Sequence, residues 1–276
     1  MIVVTGATGN VGRALVDRLL AAGRPVRALT RDPQRAVLPE GAEVVRFQPD
    51  DPAALFDGAS ALYLYAQATT PALLEAARTH GVRHVVLLSS SIIQEGADET
   101  HPIHVMHATA ERQIRDSGLA WTFLRPGAFA TNALAWAPQI RAGNTVRGIY
   151  PDGLSAPIHE DDIAAVAERA LLDAGHEGAV HRLTGPAATS NAEQVAAIGA
   201  AVGRELAFVE GDPREVAPEL FPDLPPQMLQ RLLQTFADTV GVPPEITDTV
   251  GKLTGAPART FAEWARDHVG DFGGQA

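Results

Sequence analysis

Three glycines spaced by two residues constrain this chain more than any other feature. Ile2-Val3-Val4 is a short β-branched run that leads into Thr5-Gly6-Ala7-Thr8-Gly9-Asn10-Val11-Gly12. Residues 11–22 then carry apolar side chains at helical spacing (Val11, Leu15, Leu19) and stop at Gly23. Strand, glycine turn and helix in that order make a loop whose backbone can touch a pyrophosphate. The helix N-terminus adds N–H donors and a partial positive charge. Gly6, Thr8, Gly9, Asn10, Val11 and Gly12 are therefore expected to bind a dinucleotide.

The alternation continues downstream. Residues 26–29, 43–47, 61–65 and 85–88 read as strands, with a helix over 71–80 among them. A helix over 102–117, a strand at 121–124, a helix over 163–172 and a strand at 179–183 extend the series. This pattern predicts an α/β fold: a Rossmann, doubly wound parallel sheet covered on both faces. After Gly185-Pro186 the texture changes to helical patterns (192–202, 227–240, 261–268) separated by loops rich in Pro and Gly. The expected organisation is a nucleotide-binding domain over 1–186 and a smaller, mostly helical substrate-binding and lid region over 187–276, with 130–155 contributing.

Charge and residue usage exclude several functions. With 33 acidic against 22 basic residues, the chain carries a formal net charge of −11. Such a surface repels phosphate backbones and anionic lipids, and no Lys/Arg cluster offsets it locally, so neither nucleic acid nor membrane is expected as a partner. The absence of cysteine excludes disulfides, thiol nucleophiles and cysteine-ligated metals. No apolar run reaches the length of a membrane span, and the opening residues enter the glycine motif at once, so a cytoplasmic monomer or homodimer is expected.

The second strand ends in Leu29-Thr30-Arg31-Asp32. An acidic residue at this tip would take the ribose 2′-hydroxyl of NAD, whereas an arginine accommodates the 2′-phosphate of NADP. Arg31 comes first, with Arg35 as a second guanidinium nearby, so NADPH (NADP) is the favoured cofactor. Asp32 on the ribose is the competing arrangement.

Several further motifs stand in a familiar order. They are Thr30-Arg31-Asp32-Pro33, Val86-Leu87-Leu88-Ser89-Ser90, Glu111 followed by Ser117-Gly118, Trp121-Thr122-Phe123-Leu124-Arg125-Pro126-Gly127, Pro157-Ile158-His159-Glu160-Asp161-Asp162, and Leu183-Thr184-Gly185-Pro186. Together with the glycine loop, they resemble the atypical, NmrA-like NAD(P)H-binding branch of the short-chain dehydrogenase/reductases, over residues 2 to about 206. The resemblance implies further cofactor contacts: Gln48 near the adenine, Tyr65, Ala66 and Gln67 after the fourth strand, and Leu124, Arg125 and Pro126 beside the nicotinamide.

The same resemblance raises a difficulty. Most active members of the superfamily use Tyr-x-x-x-Lys on the helix after the serine strand. This chain has one lysine, Lys252, and three tyrosines, Tyr63, Tyr65 and Tyr150, none of them four residues before it. Counting back from Glu111 puts Ile103 at the tyrosine position and His107 at the lysine position. Ser90 lies thirteen residues before Ile103, where the superfamily's serine belongs. Ser90, His104 and His107 are thus the candidate catalytic residues, since histidine titrates near neutrality and a serine hydroxyl can stabilise a developing oxyanion. His101 points away on a regular helix, and Thr100 or His101 would cap it. Histidines three apart do not make the usual spacing-four zinc pair, so no metal is expected. A substrate with its own acidic hydroxyl beside the ketone would need no protein acid at all.

Residues 211–240 open with prolines that prevent a long regular helix. They then place Met228, Leu232, Phe236 and Val240 at helical spacing. Leu220, Phe221, Leu224 and Met228 would form an apolar lid. With Phe129, Trp136 and Tyr150, they suggest a bulky aromatic substrate. The expected activity is an NADPH-dependent reductase acting on a polycyclic ketone or quinone, a ketoreductase of antibiotic-biosynthesis type. A non-catalytic NAD(P)-sensing regulator and a non-redox isomerase or dehydratase are the alternatives.

Overall fold

The computed structural model describes residues 1–48, 52–222 and 224–274. The first elements are β1 (Ile2–Val4), α1 (Asn10–Ala21), β2 (Val26–Thr30), β3 (Glu43–Arg46), β4 (Ala61–Tyr65) and α2 (Pro71–Thr79). There follow β5 (His84–Leu88), α3 (Pro102–Asp116), β6 (Ala120–Pro126), α4 (Ala137–Ala142), β7 (Thr145–Gly148) and β8 (Leu154–Ser155). The chain continues through α5 (Glu160–Leu172), β9 (Ala179–Leu183), β10 (Thr189–Ser190), α6 (Asn191–Val202) and β11 (Ala207–Glu210). It ends with α7 (Pro213–Leu220), α8 (Pro226–Ala237), α9 (Thr249–Thr254) and α10 (Phe261–Asp267).

Contacts divide the chain into two compact units. One comprises Met1–Gly127, Glu160–Leu183 and Thr249–Ala256; the other comprises Ala128–His159, Thr184–Asp248 and Pro257–Ala276. Where sequence places a cut after Pro186, with 130–155 contributing to the second region, the backbone passes from one unit to the other five times, at 127/128, 159/160, 183/184, 248/249 and 256/257.

The first unit holds a seven-stranded sheet in the order β3-β2-β1-β4-β5-β6-β9. Every pairing in it is parallel, as expected for a doubly wound sheet. β1 and β2 are buried at every position, and β1 accordingly reads as an unbroken apolar run rather than as alternation. Strand order reverses between β1 and β4, and the crevice at such a switch point is where α/β sheets bind ligands. One face is packed with Leu62, Leu64, Leu73, Leu74, Val85, Leu87, Ile114 and Phe123. Helix starts are chemically marked: Thr70 Oγ1 accepts from the Leu73 amide before Pro71, and His101 Nδ1 accepts from the Ile103 amide before Pro102.

The second unit is built differently. β7 and β11 pair in parallel, β8 and β10 antiparallel, and neither pair exceeds four residues. Its core gathers Trp136, Ile140, Val146, Val195, Ile198, Val216, Leu220, Phe261, Trp264 and Phe272. Trp136 and Leu220 are core residues here, and the Phe221 ring lies 6.1 Å from Phe236. The proline-rich opening forms an eight-residue helix, α7, capped by Asp212 with Pro213 in its first turn. α6 and α10 each begin with a full capping box, Ser190/Glu193 and Thr260/Glu263. α8 buries none of its residues. Among the described residues, no helix is long and apolar enough to cross a membrane.

Candidate functional site

The nucleotide cradle lies at the C-terminal ends of β1, β2 and β4. Thr5, closing β1, donates its hydroxyl to the Tyr63 carbonyl (3.1 Å) and accepts from the Tyr65 amide (3.3 Å), so the two strands on either side of the switch point end level. Gly6 then turns with φ +61°, and a Cβ there would sit 3.1 Å from the Tyr65 ring. The Gly9 amide donates to the Gly6 carbonyl at 2.9 Å, and Gly9 opens α1 with no side-chain cap. Gly12 is the most constrained, because a Cβ on it would lie 2.1 Å from the Gly6 carbonyl oxygen. The turn therefore closes only on bare backbone. Thr8, Gly9 and Asn10 are exposed at its rim while Val11 is buried beneath, and no acidic residue stands in the first turn of α1. This loop fits the pyrophosphate of a dinucleotide.

Three arginines stand at or just after the ends of β2 and β3. The register Thr30↔Arg46 brings Arg46 to the tip of β2, and Arg46 Nη1 donates to the Arg31 carbonyl at 2.9 Å. Arg31, Arg35 and Arg46 are exposed, and among the described residues none has a carboxylate partner. Asp32 is occupied by its own turn, accepting from the Gln34 amide at 3.2 Å. Unpaired arginines in a chain of net charge −11 fit a 2′-phosphate, which favours NADPH. Gln48 is exposed just beyond β3, as is Gln67 in the short turn after β4, whereas Ala66 is buried.

The second half of the site follows β5. Ser90 is half-buried and its Oγ accepts from the Ile92 amide at 3.3 Å. Ser89, its neighbour, points inward and donates to Glu111 Oε1 at 2.7 Å. Arg125 grips the same carboxylate twice, Nε to Oε1 at 2.9 Å and Nη2 to Oε2 at 2.7 Å, and its Nη1 reaches the Ile93 carbonyl at 2.9 Å. Arg115, one helical turn on, adds 3.0 Å to Oε2. Leu124 and Pro126 are buried and serve through their carbonyls, which accept from Ser89 and Ser91 amides at 2.7 and 2.9 Å. Burial pushes the Glu111 pKa up, but hydrogen bonds from Arg125 and Ser89 and the charges of both arginines outweigh it. The group ends below the usual carboxylate range.

On α3, His101 caps the helix, His104 is buried, and Ile103 and His107 are partly buried. Burial pushes the His107 pKa below its ordinary value, with Glu111 only partly offsetting the fall. Its ring is neutral at pH 7, and Nδ1 is buried without a hydrogen-bond partner. Glu111, Ser89 and Arg46 escaped notice as interacting groups in the sequence. The available signal was the charge opposition of Glu111 and Arg125 within two adjacent motifs, and Arg46 closing the strand next to the Arg31 tip.

The pattern of an NAD(P)H-binding family matches residues 6–174. A (4-alkanoyl-5-oxo-2,5-dihydrofuran-3-yl)methyl phosphate reductase of Streptomyces griseus is 39% identical over 281 residues, covering 99% of either chain. An NAD(P)H azoreductase of Xenophilus azovorans is 34% identical, again over 99% of both. The structure of an NADPH-dependent quinone oxidoreductase of Escherichia coli complexed with NADPH superimposes with a TM-score of 0.78 at 26% identity, covering 97% of this chain and 99% of that one.

Proposed function

The chain belongs to the NAD(P)H-binding family, in the atypical NmrA-like branch of the short-chain dehydrogenase/reductases, and we propose that it is an NADPH-dependent reductase of electron-poor, conjugated acceptors of quinone type. The observation that carries this reading is the pairing of an intact nucleotide cradle with a helix α3 that presents Ile103 and a neutral His107 in place of tyrosine and lysine. NADPH, when bound, supplies a hydride. Gly6, Thr8, Gly9, Asn10, Val11 and Gly12 hold its pyrophosphate, Arg31, Arg35 and Arg46 its 2′-phosphate, and Tyr65, Ala66, Gln67, Gln48, Leu124 and Pro126 flank it.

A simple ketone becomes a localised alkoxide on reduction and needs a strong acid beside it. A quinone, or a double bond flanked by carbonyls, spreads the charge and needs only hydrogen-bond donors. Ser90 has a hydroxyl, and neutral His107 one N–H, to offer the acceptor oxygen. His104, being buried, lines rather than reacts. The names of the relatives support this class: a quinone, an azo bond and an unsaturated alkanoyl lactone are all electron-poor conjugated systems. Bulky aromatic quinones remain the preferred members.

The test is NADPH absorbance against quinones, azo dyes, unsaturated lactones and unconjugated ketones of matched size. Conjugated acceptors are expected to exceed ketones by about tenfold or more in kcat/KM, and His107→Ala to cost on the order of tenfold to a hundredfold. Because burial holds the His107 pKa below its ordinary value, the rate stays flat from neutral pH upward. A rate that falls as the pH rises would instead mark His107 as a general acid. Tight binding of both NADP⁺ and NADPH without any oxidation would replace the enzyme reading by a regulatory one.

A further inference from the structure

We infer that Glu111 is a positioning residue of the reductase site, holding the segment that carries Ser90 through its bonds to Ser89 and Arg125 and tying it to the helix that carries His107; this rests on the roles given to Ser90 and His107 above. Its carboxylate is 1% exposed, and it gathers a hydroxyl and two guanidinium groups. Burying such a cluster is costly, and apolar residues of equal volume commonly pack as stably, so stability alone gives little reason for it. The cluster does join pieces that otherwise lie apart: the end of β5 through Ser89, α3 through Glu111 itself, and β6 through Arg125. Arg125 then extends to the Ile93 carbonyl. Segment 89–93 is thereby gripped at both ends, with Ser90 between the grips.

The same carboxylate stands one helical turn beyond His107 and raises that histidine's proton affinity against the effect of burial. Arg125 comes from β6 and Arg115 from α3, both spent on Glu111, and the turn Ala66–Ala68 packed on α3 carries no charge. One buried group thus grips the segment that carries the hydroxyl and raises the proton affinity of the imidazole against its burial.

The experiment compares Glu111→Gln and Ser89→Ala with the wild-type protein, after wild-type turnover with a quinone has been established. Absence of wild-type turnover would refute the reductase reading itself and is recorded separately. Glu111→Gln is expected to lower kcat by about tenfold or more, as small misplacements of reacting groups do, while NADPH affinity by fluorescence stays within about threefold. The acid limb of kcat/KM, where His107 takes its proton, moves to lower pH because the nearby negative charge is gone. Ser89→Ala keeps every charge, so it lowers kcat by about threefold to tenfold with the acid limb unmoved. If Glu111→Gln does not fold, Ser89→Ala decides alone. Unchanged kcat in the folded variants, or kcat and NADPH affinity falling together, overturns the proposal, as does an unmoved acid limb in Glu111→Gln.

Discussion

The glycine loop after β1 and the serine segment after β5 both follow the C-terminal ends of strands in one parallel sheet, yet they are held by opposite means. The loop is fixed by exclusion: Gly6, Gly9 and Gly12 have no side chain, and at Gly12 the space for one is taken by a carbonyl at 2.1 Å. The serine segment is fixed by attraction, through a buried carboxylate and two arginines. Steric exclusion is local and unforgiving. A charge network is long-range, depends on pH, and spreads its effect over several residues. The comparison teaches that the cofactor half of this protein cannot drift by small substitutions, whereas its chemical half can be retuned one polar group at a time.

Breaking the loop should have the largest effect. Gly12→Ala forces the Gly6 turn open, at a cost on the order of 3 kcal/mol or more, and NADPH binding by isothermal titration is expected to vanish while the sheet persists by circular dichroism. A variant that binds NADPH normally would show the turn to be pliable. Next comes cofactor choice. Arg31→Ala and Arg46→Ala should each weaken NADPH by about tenfold, as the loss of a charge-assisted bond does, and leave NADH within about twofold. Equal losses for the two cofactors would remove the arginines from the 2′-phosphate.

The smallest effect concerns acid. The Glu111 pKa is lowered in the folded protein, so its stabilisation is present above the ordinary value of 4.5 and is lost as the pH falls through the lowered one. Midpoints of thermal unfolding should therefore decline more steeply below pH 4.5 in the wild type than in Glu111→Gln. Parallel declines would show that the carboxylate is not the group being titrated.

What was legible in the sequence follows the same division. β1, β4 and β9 were read at their observed bounds, and α1 within a residue; full burial leaves β1 an unbroken β-branched run and β4 an apolar one, and Gly23 marks the end of α1. α5 begins three residues earlier than its apolar pattern, since Glu160, Asp161 and Asp162 favour a helix N-terminus that periodicity does not register. β7 and β11 escaped because each is four residues long and half-exposed, so neither alternation nor a continuous apolar run is visible. α7 was hidden by Pro218, which falls inside an eight-residue helix where a single backbone bond is lost. The cradle residues were legible because glycine spacing is itself a steric statement. The Glu111 cluster was not, because a contact across fourteen residues, between a helix and a strand, leaves no periodic trace.

The five crossings of the backbone between its two units bear on how the protein is made. A ribosome releases the glycine loop well before the rest of its unit, which gains its seventh strand only at residue 183 and α9 only at 249–254. The earliest and most constrained part of the site thus waits for most of the polypeptide to emerge, with the edge of β6 unpaired in the meantime. During synthesis, that open edge is where a nascent chain of this design is most exposed to association with its neighbours.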